Sequence, residues 1–545
     1  GTPGIGDGGV YTLSLLGDNG INPDATQTFT LTIGQPPVVT SANSATFTVG
    51  SAGSFTVTTS GYPVPVLSRS GVLPSGVTFT DNGDGTATLG GTPADGTGGS
   101  YSLTFTADNG VTPNGTQNFT LIVNEAPTFT SANNTTFVVG TAGSFTITTD
   151  GYPDAAISLV SSTPVLPAAI SLTDNGDGTA TISGTPAAGD GGVYTLSLAG
   201  VNGISPNAGQ TFTLTINEAP SITSANNVTF TVGSAGSFTV TTSGYPAPVL
   251  SQVGALPSGV TFTDNGNGTA TLSGTPADGT GGSYSLTFTA DNGVSPNATQ
   301  NFTLTVNEAP TFTSANNATF IVGTAESFTI ATDGYPDAAI SLVSSTPALP
   351  ASISFTDNGD GTATLSGTPV VGDGGVYTLS LAGANGINPD AVQTFTLNIG
   401  QPPSITSANN ITFTVGALGS FTVTTTGYPT PSLSSSGALP SGVTFTDNGD
   451  GTATLAGTPA DGSGNNYSLV FTAANGIGVN ATQNFTLTVN ESPTFTSADN
   501  SAFTVGTAGS FTITTDGYPD AAISLMSSTP ALPASVTLTD NGDGT

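Results

Sequence analysis

The sequence predicts an all-β protein built as a tandem array of two-sheet sandwiches, each 90 or 93 residues long. Phrases of the type "TFTSANN" or "SITSANN" begin near residues 38, 128, 221, 311, 404 and 494, in alternating steps of 90 and 93 residues. Short runs alternate apolar residues with Thr, Ser or Asn, which is typical of half-buried antiparallel strands. Gly and Pro clusters separate these runs, and no stretch has a useful helical period.

The repeat period predicts the domain limits. Short repeats with phrases of the type "SGYPAPVLS" cover 38–127, 221–310 and 404–493, and long repeats with "DGYPDAAISL" cover 128–220 and 311–403. The segment 1–37 matches the C-terminal part of a long repeat and 494–545 the N-terminal part, together 89 of 93 residues. Two explanations remain open. Either the segment is cut from a longer tandem chain, or the N-terminal strands of one copy complete the last repeat of another.

Within the first complete repeat the predicted strands are "TFTV", "SFTVTT", "GVTFT", "TATL", "YSLTFTA" and "NFTLIV". About seven short strands in ~90 residues favour a two-sheet sandwich. One tyrosine of each repeat opens the penultimate strand, where sandwiches place a ring whose hydroxyl bonds nearby backbone. These residues are Tyr11, Tyr101, Tyr194, Tyr284, Tyr377 and Tyr467. An aromatic platform for a ligand is the alternative interpretation.

The composition excludes several functions. The chain has 34 acidic residues, Arg69 as its one cation, a net charge of −33, and no His, Cys or Trp. Such a chain cannot neutralise phosphates, which excludes nucleic-acid binding and polybasic membrane docking. Without His, Cys and Lys it lacks most side chains that catalyse near neutral pH, so we expect no enzyme. No apolar run is long enough for a membrane helix.

The acid-rich phrase "TDNGDGT" recurs at 80–86, 173–179, 356–362 and 446–452. A helix–loop–helix calcium loop starting at Asp81 would need oxygen ligands at its third, fifth and twelfth positions. These positions hold Gly83, Gly85 and Thr92, so the match fails. Asn-Gly and Asp-Gly steps between two strands predict a hairpin turn instead.

The phrases "LPSGVTFTDNGDGTATLSGTP" and "YSLTFTADNGVSPNATQNFTLTVNEAP", repeated along the whole chain, resemble the tandem immunoglobulin-like and cadherin-like repeats of bacterial and archaeal surface proteins. The resemblance implies immunoglobulin-like sandwiches in an extracellular, cell-surface stalk, adhesin or fibre. It does not imply an enzyme.

The resemblance to cadherins also implies a metal site, because cadherins hold calcium between domains with linker and loop carboxylates. Here the linker "VNEAP" and the loop "TTDGYPD" of long repeats would supply them, so calcium is expected at alternate junctions only. The expected ligands are Glu125, Asp150 and Asp154; Glu308, Asp333 and Asp337; and Glu491, Asp516 and Asp520. Solvated turn carboxylates are the alternative, and no other cofactor is expected.

Sequons of the type Asn-X-Ser/Thr predict glycan acceptors at Asn118, Asn134, Asn227, Asn301, Asn317, Asn410 and Asn484. Chance in a chain rich in Asn and Thr is the alternative. The favoured function is a structural stalk or the subunit of a filament. Its partners would be other copies, bundled or head-to-tail, or the continuation of the same chain. The competing hypothesis is an adhesive module whose exposed loops bind glycans or a partner cell.

Overall fold

The computed structural model describes all 545 residues and contains strands, turns and loops but no helix. The all-β prediction is confirmed. The alternation in sequence becomes an alternation in burial, because successive side chains of a strand point to opposite faces. In the strand Gly99–Asp108, for example, Leu103, Phe105 and Ala107 are buried and the two intervening threonines are not.

Five sandwiches follow one another, flanked by two partial segments. The first segment has strands β1 Gly9–Gly17 and β2 Ala25–Ile33. The first sandwich has β3 Gln35–Val39, β4 Ser44–Thr48, β5 Gly53–Tyr62, β6 Val66–Ser70, β7 Val77–Asp81, β8 Thr86–Gly91, β9 Gly99–Asp108 and β10 Gly115–Phe129. The second adds β11 Asn134–Val138, β12 Gly143–Tyr152, β13 Ala156–Thr163, β14 Ile170–Asp174, β15 Thr179–Gly184, β16 Gly192–Val201 and β17 Ala208–Ile222.

The remaining strands repeat this order. The third sandwich adds β18 Asn227–Thr231, β19 Gly236–Tyr245, β20 Val249–Val253, β21 Val260–Asp264, β22 Thr269–Gly274, β23 Gly282–Asp291 and β24 Ala298–Phe312. The fourth adds β25 Asn317–Ile321, β26 Glu326–Tyr335, β27 Ala339–Thr346, β28 Ile353–Asp357, β29 Thr362–Gly367, β30 Gly375–Ala384 and β31 Ala391–Ile405. The fifth adds β32 Asn410–Thr414, β33 Gly419–Tyr428, β34 Ser432–Ser436, β35 Val443–Asp447, β36 Thr452–Gly457, β37 Asn465–Ala474 and β38 Ala481–Phe495. The last segment contains β39 Thr515–Tyr518.

Each sandwich packs two sheets face to face, as the first one shows. One sheet has the antiparallel order β3-β5-β8-β7. In the other, β10 pairs antiparallel with β9 and parallel with β4, and β6 extends the sheet beyond β9. Two sheets of this size and connectivity form an immunoglobulin-type sandwich.

The strand that ends one sandwich also begins the next. The 15 residues of β10 pair with β9 up to Val123, and from Glu125 onward with β12 of the second sandwich. β17, β24, β31 and β38 make the same crossing. The predicted domain limits at these junctions therefore fall inside continuous strands, and the limits themselves stay a prediction.

A core of twelve buried residues lies between the sheets of each sandwich. In the first, the rings of Phe105 and Phe119 pack at a tilt with their centroids 4.7 Å apart, and Leu121 and Val123 are fully buried. Burying each such side chain stabilises the fold by about 1.5–3 kcal/mol. The hairpin β1–β2 has the same alternation, but its Leu13 and Phe29 are 41% and 45% exposed.

Candidate functional site: the joint between sandwiches

A buried carboxylate lies where the strand passes from one sandwich to the next. Glu125 of β10 is 6% exposed. Its Oε1 accepts the backbone N–H of Gly96 at 2.6 Å, and its Oε2 accepts that of Gly98 at 2.7 Å. Both glycines belong to the loop between β8 and β9 of the first sandwich. Hydrogen bonds to an ionised acceptor are about twice as strong as neutral ones, so this side chain anchors the strand to the first sandwich.

The backbone of the same residue is held by the second sandwich. Glu125 pairs with Tyr152 of β12, and its carbonyl accepts the Nδ2 group of Asn202 at 2.8 Å. The second N–H of that amide bonds the carbonyl of Pro153, also at 2.8 Å. One residue therefore receives hydrogen bonds from both neighbouring sandwiches. We call Glu125 and its equivalents the joint residues, and Asn202 and its equivalents the Asn tethers.

The arrangement recurs along the chain. The joint residues are Gln35, Glu125, Glu218, Glu308, Gln401 and Glu491. The Asn tethers are Asn109, Asn202, Asn292, Asn385 and Asn475, each with Nδ2 2.8–2.9 Å from the carbonyl of its joint residue. A glutamate offers two oxygens to the two glycine N–H groups. A glutamine offers one oxygen: that of Gln401 accepts the N–H of Gly372 alone, and that of Gln35 accepts those of both Gly6 and Gly8, at 3.0 and 3.3 Å.

Glycine is required opposite the joint residue because there is no room for a side chain. A Cβ at Gly98 would lie 2.6 Å from Oε2 of Glu125 and 3.0 Å from Cβ of Tyr152. The loop backbone can therefore approach the carboxylate closely. Sequence reasoning overlooked this contact, although a signal is present: a pair of glycines stands a few residues before the penultimate-strand tyrosine, 27 and 29 residues before each joint glutamate.

The expected calcium ligands do not converge. The structure contains no group of three or more acidic side chains able to hold a metal ion. Glu125, Glu308 and Glu491 bind glycine N–H groups of the preceding sandwich. Asp150, Asp333 and Asp516 each accept the N–H of the following glycine, and Asp154, Asp337 and Asp520 lie beside the acid-rich turn. The clusters inferred from the cadherin resemblance are thus not assembled, and calcium binding stays a prediction.

Two backbone hydrogen bonds bear on the ionisation of a joint residue. The N–H groups of Gly462 and then Gly464 lower the pKa of Glu491, because they stabilise the ionised carboxylate. These two N–H groups thus favour the charged form of the side chain at this joint.

The acid-rich phrase forms a turn, as the sequence predicts. Asn82 N–H bonds the carbonyl of Thr86, and Gly83 and Gly85 have φ of 76° and 83°. The hydroxyl and the N–H of Thr86 both donate to Asp84, and the hydroxyl bond chiefly lowers the pKa of this carboxyl. The aspartates of the phrase thus fix the hairpin between β7 and β8.

The penultimate-strand tyrosines also meet their prediction. Tyr101 donates its hydroxyl to the carbonyl of Thr97 at 2.8 Å, and Tyr194 bonds Asp190 in the same way at 2.9 Å. The rings pack against or within the cores, so these residues are structural corners and not a ligand platform.

The predicted glycan acceptors are all exposed. Asn118, Asn301 and Asn484 lie in the last strand of the short repeats. Asn134, Asn227, Asn317 and Asn410 begin the short strands that pair parallel with a last strand. Both groups therefore lie on the same sheet of a sandwich. Glycosylation at these positions stays a prediction.

Comparisons with known proteins agree with the fold. Residues 219–307 and 402–490, both in short repeats, match the family model "Putative Ig domain". No curated protein matches the chain. The structure contains no helix long and apolar enough to cross a membrane.

Several solved structures are similar at low identity. The I-band fragment I67–I69 of titin is 16% identical, with a TM-score of 0.34, over 50% of this chain and 98% of that chain. The eight N-terminal Ig domains of Down syndrome cell adhesion molecule are 17% identical, with a TM-score of 0.29, over 89% and 64%. An endo-fucoidan hydrolase is 18% identical, with a TM-score of 0.20, over 51% and 44%. Scores this low carry no argument about function. From its own sheet topology and the two family matches, the chain is a tandem array of immunoglobulin-like repeats, and two segments of it match the putative Ig domain model.

Proposed function

We propose that the chain is a structural stalk or filament segment at a microbial cell surface, with stiff joints that hold successive sandwiches in a fixed relation. The observation that carries the proposal is the joint residue. Its side chain is bound by the sandwich before it and its backbone by the sandwich after it, and the same arrangement recurs at every junction between complete sandwiches.

A joint of this kind leaves no free linker. Flexible linkers are Gly/Ser-rich coils whose ends move independently. Here the connection is a strand with ladder partners on both sides of the crossing, and Glu125 pairs with Tyr152 at its centre. Bending at the junction must break hydrogen bonds that the strand makes to one sandwich or the other. Stiffness therefore follows from the side-chain and backbone hydrogen bonds of the joint residue and does not require a bound ion.

The charge fits an extended arrangement outside the cell. With 34 acidic residues and one cation, copies and neighbouring sandwiches repel one another, which favours an extended chain over a collapsed one. The five cores have the same size and equivalent positions, as expected for spacers and not for one specialised catalytic or receptor domain. Other copies of the chain, or its own continuation, are the partners that this role requires.

Small-angle X-ray scattering of the full chain tests the proposal. We expect a rod whose maximum dimension is on the order of 200 Å, from about 40 Å of strand and loop per sandwich. Replacing Glu125, Glu218 and Glu308 together by Ala should broaden the distance distribution and shorten the mean extension. The control is Asp84→Asn, which copies the natural Asn267 at the same turn position. A wild-type chain as flexible as the triple variant would refute the stiff-joint proposal.

A further inference from the structure

The Asn tethers carry a chemical liability, because each is followed by glycine. In an Asn-Gly step the glycine nitrogen can attack the Asn Cγ. The N–Cγ bond forms, the Cγ–Nδ2 bond breaks, and ammonia leaves with the proton of the glycine amide. Water then opens the cyclic imide at either carbonyl, which leaves aspartate or isoaspartate. The chain contains fourteen Asn-Gly steps.

The structure divides these steps into two classes. Nine are preceded by aspartate, and in all nine the aspartate Oδ1 accepts the glycine N–H at 2.7–3.4 Å. Five lack the aspartate, and three of these five are Asn tethers: Asn202, Asn385 and Asn475. The N–H groups of the glycines that follow these three tethers have no acceptor in the protein. The other two, Asn114 and Asn267, are not Asn tethers.

A carboxylate that accepts the glycine N–H opposes the reaction in two ways. Hydrogen bonding to the protonated amide, next to a negative charge, disfavours the loss of the proton that attack requires. The bond also holds the nitrogen toward the aspartate. The tether side chains are otherwise held alike. Asn109 Oδ1 accepts the N–H of Val111 at 3.1 Å, and Asn202 Oδ1 accepts that of Ile204 at 3.0 Å. The preceding residue, Asp108 in one and Val201 in the other, is therefore the difference that matters.

We propose that Asn202, Asn385 and Asn475 are spontaneous deamidation sites, and that their conversion releases the joints they hold. The Nδ2 group of Asn202 donates to two carbonyls, of Glu125 and Pro153. After conversion an acceptor-only carboxylate faces those two acceptors, so both hydrogen bonds are lost and the contact becomes repulsive. The joints at Gln35 and Glu218 are spared, because Asp108 and Asp291 precede their tethers.

Ageing the folded full-length chain at mildly alkaline pH tests the site order. Aliquots are digested with chymotrypsin, since the chain has no Lys, and each Asn-Gly peptide is scored by mass for exchange of the amide for a carboxyl. Asn202, Asn385 and Asn475 should deamidate at least about tenfold faster than Asn109 and Asn292, the effect of one charge-assisted hydrogen bond. Equal rates at the two sets would overturn the proposal.

Exchanging the preceding residues provides matched variants. Val201→Asp should lower the deamidation rate of Asn202 to that of Asn109. Asp108→Val should raise the deamidation rate of Asn109 to that of Asn202. Both positions are exposed ends of equivalent strands, so the sandwich should still fold. In urea-denatured chain the two classes should react at similar rates. A denatured-state ratio as large as the folded one would assign the effect to the neighbouring residue alone and refute the role of the fold.

The effect of deamidation on the joint is measured separately with Asn202→Asp. This variant replaces the side-chain amide by a carboxylate, as deamidation does. Amide hydrogen exchange in the strand around Glu125 should accelerate about tenfold or more, because two hydrogen bonds to this junction are lost. The same exchange at Glu218, whose tether Asn292 is intact, is the internal control. Unchanged exchange around Glu125 would show that the tether does not hold the joint.

Discussion

Removing one joint carboxylate should loosen a single junction without disturbing the others. In Glu308→Ala the N–H groups of Gly279 and Gly281 lose acceptors now 2.6 and 2.7 Å away. Each hydrogen bond to a charged group contributes about 1.5–3 kcal/mol. The loop is close to the surface, so water replaces part of this, and we expect the local opening free energy to fall by about 2–4 kcal/mol.

Amide hydrogen exchange followed by mass spectrometry measures this change directly. A loss of about 2–4 kcal/mol corresponds to exchange about 30- to 700-fold faster at the two glycines. Glu308→Gln should give a smaller acceleration, because one oxygen remains, as at Gln401, which binds Gly372 naturally. In the same molecule the loop that binds Glu125 is unaltered and serves as the control. If Gly279 and Gly281 exchange no faster in Glu308→Ala than in the wild type, the joint residue does not hold the loop.

Three further outcomes are expected. The pKa of Glu491 is lowered by the N–H groups of Gly462 and Gly464, so its stabilisation is present above the unfolded value of about 4.3 and is lost as the pH falls through the folded value. Exchange at Gly462 should therefore accelerate in acid, whereas an exchange rate that does not respond to pH, after correction for the intrinsic rate, would contradict the assignment. Tyr101→Phe removes the hydrogen bond to the carbonyl of Thr97 and should destabilise its sandwich by about 1 kcal/mol in thermal unfolding. The effect should be larger than that of Tyr62→Phe, because the Tyr62 hydroxyl has no protein partner. Because the predicted calcium ligands do not lie together, we expect the thermal midpoint to be the same with added calcium and with a chelator, and a clear rise with calcium would support the predicted sites.

Local features of the fold were predictable from the sequence. The turn at Asp81–Thr86 depends on Asn-Gly and Asp-Gly steps between two alternating runs, and the bonds that define it span only a few residues. The corner at Tyr101 likewise bonds a carbonyl four residues earlier. Periodicity and turn chemistry predict such short-range structure well, because both partners of each hydrogen bond lie within a few residues of each other in the sequence.

The joint was not predictable in the same way. The cadherin resemblance predicts that Glu125 shares a calcium ion with Asp150 and Asp154 of the following repeat. Its carboxylate instead binds Gly96 and Gly98, more than 25 residues earlier in the chain. The tether Asn202 lies 77 residues later. A pattern of residue types does not show which of several distant partners a side chain contacts. The donors to Glu125 are backbone N–H groups of glycines, and a glycine has no polar side chain that would mark it in the sequence as a hydrogen-bond donor.

The parallel pairing of β4 with β10 decides how a sandwich responds to tension. Ser44–Thr48 lies near the N-terminal entry of the sandwich and runs alongside Thr120–Asn124, near its exit, in the same direction. A pull on the two ends of the chain draws these strands past each other lengthwise. Their five residue pairs must then fail together in shear, whereas strands peeled apart from one end would open pair by pair. The pairs β11–β17, β18–β24, β25–β31 and β32–β38 repeat this arrangement, so an axial force loads all five residue pairs of the ladder at once in every sandwich.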